Sequence, residues 1–148
     1  MNLERGERAG QDSNRKQARV ARSANMGDPE RSEGFEKLEI WRRACRLSVR
    51  LYEVLRDSRE FGFREQLTRA GLSIPSNIAE GYERGTNKDF IRFLWMAKGS
   101  CGEVRTQALV GIEAGLLPGE VGRELAVEAR EISKMIGAFI RARKAYEK

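Results

Sequence analysis

Several residue types are scarce or absent in this chain of 148 residues. Histidine is absent, which removes the commonest general base and a frequent metal ligand. Its absence also excludes a di-iron helix bundle, because such bundles need a Glu-x-x-His pair on two helices. The two cysteines, Cys45 and Cys101, form neither a Cys-x-x-Cys motif nor a metal pattern, so we interpret them as small buried thiols. We therefore predict no catalytic residue, no metal site and no cofactor.

Prolines, strand-like alternation and long apolar runs are also scarce. Three prolines and the lack of an alternating β-branched run favour an all-α protein. No apolar run approaches the length of a membrane span and no signal peptide is recognisable, so we expect a cytoplasmic protein without membrane contact. The 28 basic and 22 acidic residues give a net charge of +6, which permits binding to a polyanion.

Apolar periodicity divides the chain into a tail and one domain. Residues 1–34 have almost no such periodicity and are predicted to be a disordered tail, or an overextended gene start, since Met26 offers a second start. Residues 35–148 are predicted to form the domain. Its four helices are predicted near 36–57, 63–84 and 87–114, and from 118 onward. The short connections predict an antiparallel, up-down-up-down four-helix bundle.

The first helix combines an apolar stripe with a basic row. The residues predicted to face the core are Leu38, Trp41, Cys45, Ser48, Tyr52 and Leu55. The basic row on the opposite side consists of Arg42, Arg46 and Arg50. With Arg141, Arg143 and Lys144 of the last helix, these residues are candidate nucleic-acid contacts, because arginine can bind phosphate through two hydrogen bonds. The alternative is a solvated face whose C-terminal cations favour the helix dipole.

Glycines punctuate the second and third helices. Gly81 and Gly85 are predicted to end the second helix, and Thr86 to cap the third. Gly99 and Gly102 lie in the middle of the third helix, where each costs on the order of 1 kcal/mol relative to alanine. That cost indicates that another helix passes very close to them, or that the helix bends there.

A polar stripe runs beside the apolar face of the second helix. Its residues are Gln66, Arg69, Ser73, Asn77 and Glu80, and Ser100 and Glu103 have the matching spacing on the third helix. Antiparallel packing is expected to bring Arg69 toward Glu103 and to point Glu80 toward Arg84 or Lys88. We interpret the stripe as a buried hydrogen-bonded network that fixes the register, and favour this over acid–base catalysis by Glu80 and Glu103.

Four segments also carry a family resemblance. They are Phe35–Trp41 (FEKLEIW), Arg69–Tyr82 (RAGLSIPSNIAEGY), Lys88–Leu94 (KDFIRFL) and Ala97–Glu103 (AKGSCGE). Together they resemble the bacterial four-helix-bundle proteins encoded in intervening sequences of 23S rRNA genes, over roughly residues 35–144. The resemblance implies a homopentamer. A weaker resemblance to the accessory proteins of diversity-generating retroelements implies nucleic acid and a reverse transcriptase as partners.

We therefore expect a non-enzymatic oligomer associated with RNA or another nucleic acid. Its mechanism would be phosphate contact by basic rows repeated around the oligomer, without base-specific readout. A second apolar side of the second helix, formed by Leu72, Pro75 and Ala79, favours self-association. The alternative is a structural scaffold whose oligomer surface binds a protein partner, such as a reverse transcriptase.

Overall fold

The computed structural model describes residues 34–146, and these residues form four α-helices after a short 3-10 turn at Phe35–Lys37. The helices are α1 (Glu39–Leu55), α2 (Phe61–Glu83), α3 (Asn87–Glu113) and α4 (Gly119–Ala145). No strand occurs within this part of the chain, so the all-α prediction is confirmed. None of these helices has both the length and the apolar character that crossing a bilayer requires. The predicted tail, apart from Gly34, lies outside the described residues.

Local sequence explains where the middle helices begin and end. The backbone N–H of Asp89 donates to Oγ1 of Thr86 at 3.2 Å, which confirms the predicted cap of α3. Gly85 follows α2 with φ +80°, a left-handed conformation that glycine adopts without steric cost. Gly115 does the same after α3 with φ +73°. Pro118 immediately precedes α4, where its fixed φ suits the start of a helix.

Each helix packs against the next along the chain, and α1 also contacts α4. Along three of the packed pairs the contacting residues occur in opposite order. In α1 and α4, Arg43 meets Glu128, whereas Arg50 meets Glu124. The other contacts of this kind are Ser73 with Ser100, Phe63 with Gly111, Asn87 with Arg143, and Ile112 with Gly122. The helices therefore follow one another around a common core, with the α1–α2 pair opposite the α3–α4 pair.

Aliphatic side chains from all four helices fill that core. The largest fully buried ones are Leu51, Leu55, Leu67, Ile74, Ile78, Leu94, Leu125, Ile132, Ile136 and Ile140. Burying a side chain of this size contributes about 1.5–3 kcal/mol relative to leaving it in water. The fold therefore rests chiefly on apolar burial along the shared axis of the four helices.

A chain of aromatic rings closes the end at which α1 begins and α4 ends. The ring of Phe35 lies 5.3 Å from that of Trp41 and 6.3 Å from that of Tyr82. Tyr82 contacts Phe90 at 5.8 Å, and Phe90 contacts Phe139 at 5.6 Å. These tilted and edge-on arrangements are ones that aromatic pairs prefer. The rings therefore tie the 3-10 turn to α2, α3 and α4.

The buried face of α1 differs from the predicted stripe. Its buried residues are Ile40, Ala44, Leu47, Ser48, Leu51 and Leu55. Tyr52, which was predicted to lie in the core, is 47% exposed, and Cys45 is only partly buried. The physical reason is that apolar residues cover more than half of the circumference of α1. Only the part that faces both α2 and α4 can be buried.

The tightest helix contacts occur at glycines that the sequence did not single out for this role. A Cβ atom on Gly81 would lie 2.6 Å from Cβ of Phe93 and 3.0 Å from Cδ2 of Phe90. Gly81 is thus buried inside α2, and the prediction that it ends the helix is wrong. A Cβ atom on Gly99 or Gly102 would meet nothing within 4 Å among the described residues, so no helix passes close to either.

Alanine substitutions at a close and an open glycine test this packing. Gly81→Ala should lower the free energy of unfolding by about 1–3 kcal/mol, because the new methyl group overpacks the contact with Phe93. Gly99→Ala is the matched control and should raise it by up to about 1 kcal/mol, because alanine is the better helix former at an open position. Urea denaturation followed by circular dichroism measures both. Equal effects at the two positions would contradict the assigned contacts.

Candidate nucleic-acid interface

The uncharged part of the α2 polar stripe forms a small contact with α3. Oγ of Ser73 lies 2.6 Å from Oγ of Ser100, and Ser100 donates to the carbonyl of Met96 at 3.2 Å. Nδ2 of Asn77 donates to the carbonyl of Ser73 at 2.8 Å. The contact therefore links the two helices at a fixed register, as a satisfied polar contact in a bundle can do.

The charged part of the stripe lies on the surface. Arg69 pairs with Glu65 at 2.8 Å rather than with Glu103, and its side chain is 78% exposed. Gln66 and Glu103 are exposed as well. The prediction of an Arg69–Glu103 pair inside the bundle is thus wrong. The physical reason is that charges left in water avoid the desolvation cost of burial.

Glu80 pairs with Arg84 at 2.9 Å, which is one of the two partners expected for it. Glu80 and Glu103 lie on opposite sides of the Ser73–Ser100 contact along the bundle axis, because the helices pair in reversed order. These carboxylates therefore do not converge into the pair that acid–base catalysis requires.

The basic row of α1 is compensated by nearby carboxylates. Arg46 pairs with Glu39 at 3.1 Å, and Arg50 pairs with Glu124 of α4 at 3.5 Å. Nε of Arg42 donates to a backbone carbonyl of the preceding turn at 2.6 Å. Helical spacing within α1 could not indicate these pairs, because Glu39 is seven residues from Arg46 and Glu124 belongs to another helix.

A cleft of about 280 Å³ between α1 and α4 contains the same charges. It is lined by Arg46, Leu47, Arg50, Glu124, Leu125 and Glu128. Beside it, Arg43 donates two hydrogen bonds to Glu128, at 2.6 and 3.0 Å, and this bonding raises the pKa of Arg43. Cations and carboxylates balance around the cleft, so it offers no net attraction for an anion.

Arg143 has a structural role at the end of α4. Its guanidinium lies 4.9 Å from the ring centre of Phe90 and 5.4 Å from that of Phe139. Its carbonyl accepts a hydrogen bond from Nδ2 of Asn87 at 3.0 Å. Arg143 therefore fastens the last turn of α4 to the start of α3, and its cation faces aromatic rings.

The other two C-terminal candidates, Arg141 and Lys144, belong to a basic surface shared by α3 and α4. Gly137 brings the helices together there: a Cβ atom on it would lie 3.4 Å from Cε of Lys98 and 3.6 Å from Nη1 of Arg141. Nζ of Lys144 lies 5.4 Å from the ring centre of Trp95. Lys98 of α3 therefore lies close to the basic residues of α4 where the two helices pack together.

We call this surface the α3–α4 seam. Its residues follow one stripe of each helix, at spacings of three and four. They are Trp95, Lys98, Gly102 and Arg105 on α3, and Arg130, Ser133, Gly137, Arg141 and Lys144 on α4. Neither stripe contains an acidic residue, and none of its cations forms an ion pair with a residue in the described range. The seam is thus a basic surface without an acidic residue on either stripe, unlike the row of α1.

Basic and acidic residues are also concentrated in different segments of α3 and α4. Residues 134–146 hold four basic residues and no acidic one, whereas residues 119–133 hold two basic and four acidic residues. Residues 87–98 hold three basic residues and one acidic residue. The hydrogen bond from Asn87 to Arg143 places these two basic segments side by side. Arg141 and Lys144 were predicted from the sequence, whereas Lys98 was not, because its only signal was its helical spacing from Trp95.

Neither cysteine is placed as a nucleophile. Burial raises the pKa of Cys45 to about 11 and that of Cys101 to about 12, against weaker opposing effects of Arg46 and Lys98. Folding thus favours the protonated thiols. Because the folded pKa values exceed the unfolded thiol pKa of about 8.5, the thiols leave the free energy of unfolding unaffected below that pH. As pH rises from there through the folded values, the free energy of unfolding falls. Among residues 34–146, no three Cys, Asp or Glu side chains converge as a metal-binding group.

The divided polar stripe predicts different stabilities for two variants. Arg69→Ala should change the free energy of unfolding by no more than about 0.5 kcal/mol, because its ion pair is exposed. Ser73→Ala should lower it by about 1 kcal/mol, because the bond to Ser100 is lost. Urea denaturation measures both. Adding Ser100→Ala and the Ser73→Ala/Ser100→Ala double variant gives the coupling energy of the two serines. A large loss with Arg69→Ala would contradict this assignment.

The chain shares its fold and its sequence pattern with known proteins. A comparison with curated proteins finds no match. Among solved structures, it is similar to a protein with unknown function from the S23 ribosomal protein family of Bacteroides thetaiotaomicron VPI-5482. The TM-score is 0.64 at 23% identity, over 68% of this chain and 97% of that chain, a likeness that shows the fold alone. The pattern of one family matches residues 36–138, which is more than half of the chain. The chain therefore belongs to the 23S rRNA-intervening sequence protein family.

Proposed function

We propose that this protein is a non-enzymatic, oligomeric partner of RNA or another nucleic acid, and that its α3–α4 seam contacts phosphates. The observation that carries the proposal is the convergence of Lys98 and Arg141 at Gly137, with Lys144 on the same stripe of α4. A row of lysines and arginines can follow a nucleic-acid backbone without reading bases. The family's name refers to intervening sequences of 23S rRNA, which makes RNA the first polyanion to test.

We place the phosphate contact on the α3–α4 seam rather than on the basic row of α1. At Arg46 and Arg50, a phosphate would have to displace Glu39 and Glu124, and these carboxylates would also repel it. Arg141 and Lys144 have no such competitor among the described residues. We therefore retain these two from the sequence candidates and add Lys98.

We propose that copies of the chain associate through the α1–α2 pair, on the side opposite the seam. Val49 and Tyr52 of α1 and Leu72 of α2 are each 47% exposed. Exposed apolar side chains on neighbouring helices are typical of a surface that another subunit covers. Association on this side would leave every seam accessible, so that several seams could act on one nucleic acid.

The proposed assembly is a homopentamer of antiparallel, up-down-up-down four-helix bundles. The number of subunits comes from the family resemblance. The helix directions are supported by the reversed order of contacts along three packed pairs, for example Arg43 with Glu128 and Arg50 with Glu124 between α1 and α4. A cytoplasmic location remains a prediction from the sequence.

The absence of catalysis is part of the proposal. Burial holds both thiols in the protonated form at neutral pH, which removes the reactive thiolate. Glu80 and Glu103 are separated along the bundle, and Glu80 is engaged by Arg84. The groups that the sequence offered for acid–base or nucleophilic chemistry are therefore poorly placed for it.

The alternative function is a scaffold that binds a protein partner, such as a reverse transcriptase. It is favoured by two exposed valines outside the seam, Val110 on α3 and Val127 on α4, which are 57% and 60% exposed. The two functions differ in their electrostatics. Binding through phosphates weakens steeply with added salt, whereas docking of apolar surfaces does not.

Removing three charges from the seam tests the phosphate contact. We expect Lys98→Gln, Arg141→Gln and Lys144→Gln together to weaken RNA binding strongly. They should also make the slope of log affinity against log salt less steep by about two to three units, because each lost phosphate contact releases about one counterion fewer. Fluorescence anisotropy of labelled structured RNA at several salt concentrations measures both.

The matched control removes two charges from α1 and one from the residue that follows it, through Arg46→Gln, Arg50→Gln and Arg56→Gln. It has the same net charge as the seam variant, so a purely long-range effect of charge would weaken both equally. We expect the control to bind RNA almost as the parent does. Loss of binding only in the control would move the interface back to α1. Binding by the parent that is insensitive to salt would favour the scaffold.

A charge placed on the α1–α2 pair tests self-association. Leu72→Glu should convert the oligomer to monomers at micromolar concentration, because a buried unpaired carboxylate is costly at an interface. Val127→Glu is the control: it introduces the same charge at an exposed valine of α4 and should leave the oligomer intact. Light scattering gives the mass of each. A parent protein with a monomer mass, or an unchanged mass for Leu72→Glu, would contradict this interface.

A further inference from the structure

Trp95 is an aromatic side chain on an otherwise basic surface. Its side chain is 50% exposed, although the sequence contains only two tryptophans. The other one, Trp41, is partly buried and packs on Phe35 with ring centres 5.3 Å apart. Leaving a large apolar ring in water forgoes much of the stabilisation that its burial would give. A seam that contacts only phosphates gives this ring no role.

Cations flank Trp95 on both helices. Nζ of Lys144 lies 5.4 Å from its ring centre, and Lys98 follows it by one turn of α3. The residues one turn before and after it on α3 are Ile91, Arg92, Lys98 and Gly99, none of which is acidic. The indole thus stands between groups that can bind successive phosphates of one strand.

The α3 surface beside Trp95 carries no side chain at two positions. Gly99 and Gly102 follow it on the exposed side of α3, and a Cβ atom on either would meet no atom of residues 34–146 within 4 Å. The indole N–H donates a hydrogen bond to no residue in the described range. At these two positions, therefore, no side chain of α3 obstructs a planar group that approaches the ring.

We infer that Trp95 stacks on an unpaired base of a single-stranded nucleic acid, while Lys98, Arg141 and Lys144 hold the adjacent phosphates. This inference rests on the proposed function and specifies its ligand. Single strands are bound by positively charged surfaces that carry aromatic rings, and stacking tolerates every base because each has a π face. In a duplex the bases stack on one another and are not available to the ring. Single-stranded RNA is therefore the expected ligand, and a duplex would use the cations alone.

Two substitutions separate the π face of Trp95 from its bulk. Trp95→Leu keeps an apolar side chain without the ring, and Trp95→Phe keeps a smaller ring. We expect Trp95→Leu to weaken binding of a short labelled single-stranded RNA by on the order of tenfold or more. Trp95→Phe should retain most of the affinity. The duplex formed by that RNA and its complement should bind both variants as it binds the parent, and circular dichroism melts establish that the variants fold.

Fluorescence gives a second measurement that does not depend on affinity. In a Trp41→Phe background, Trp95 is the only tryptophan, so all indole emission comes from the seam. Saturation with the single-stranded RNA should quench this emission because the base lies against the ring. Saturation with the duplex should leave it nearly unchanged.

The outcomes distinguish the inference from the proposed function. Single-strand binding that is unchanged by Trp95→Leu, or an equal loss for single strand and duplex, would overturn the stacking role. If salt-dependent duplex binding persisted in that case, the phosphate contact would stand. If the parent bound neither RNA, both proposals would be wrong. Selective loss for the single strand, with rescue by Trp95→Phe and quenching of Trp95, is the result that supports stacking.

Discussion

The close packing of α3 against α2 and α4 is the constraint on which the rest of the structure depends. Gly81 of α2 and Gly122 of α4 each lie where a Cβ atom would overlap a side chain of α3. The buried row of α3 then runs through Leu94, Cys101 and Ala108, none of which has any exposed surface. Such a row admits one rotation of the helix about its axis, because any other rotation would bury charge and expose the core side chains.

That rotation decides where the charges of α3 and α4 emerge. Lys98 is brought beside Gly137 and Arg141, and Trp95 beside Lys144. The reversed order of contacts sends the acidic half of α4 to the arginines of α1, where Glu124 and Glu128 pair with Arg50 and Arg43. In the basic half of α4, Lys134 pairs with Glu131 at 3.5 Å, whereas Arg141 and Lys144 have no such partner in the described part of the chain. This difference is the physical basis for proposing the seam as the nucleic-acid contact. The same helix packing therefore pairs two arginines of α1 with carboxylates of α4 and leaves the seam cations without carboxylate partners in the described residues.

Much of the fold could be predicted because its signals are local. Thr86 caps α3 as expected, since its hydroxyl oxygen and the backbone N–H of Asp89 that donates to it are only three residues apart. The bounds predicted for the second and third helices, 63–84 and 87–114, lie within two residues of α2 and α3. The failures concern neighbours from other helices. Periodicity could not choose the buried side of α1. It also could not tell that Gly81 packs against Phe93, whereas Gly99 packs against no other helix of the described structure.

By itself, the sequence determined the helical class, the helix bounds, the cap of α3 and the family, because each of these depends on residue types at short spacings. Only the tertiary structure decided which charges are compensated. The separation of Arg50 from Glu124 along the chain gives no sign that they meet, whereas helix packing brings them to 3.5 Å. The same packing leaves Arg69 on the surface beside Glu65 and places Lys98 and Arg141 next to Gly137. Electrostatic partners depend on distance in space, and in a helical bundle that distance is set by how each helix is rotated and paired.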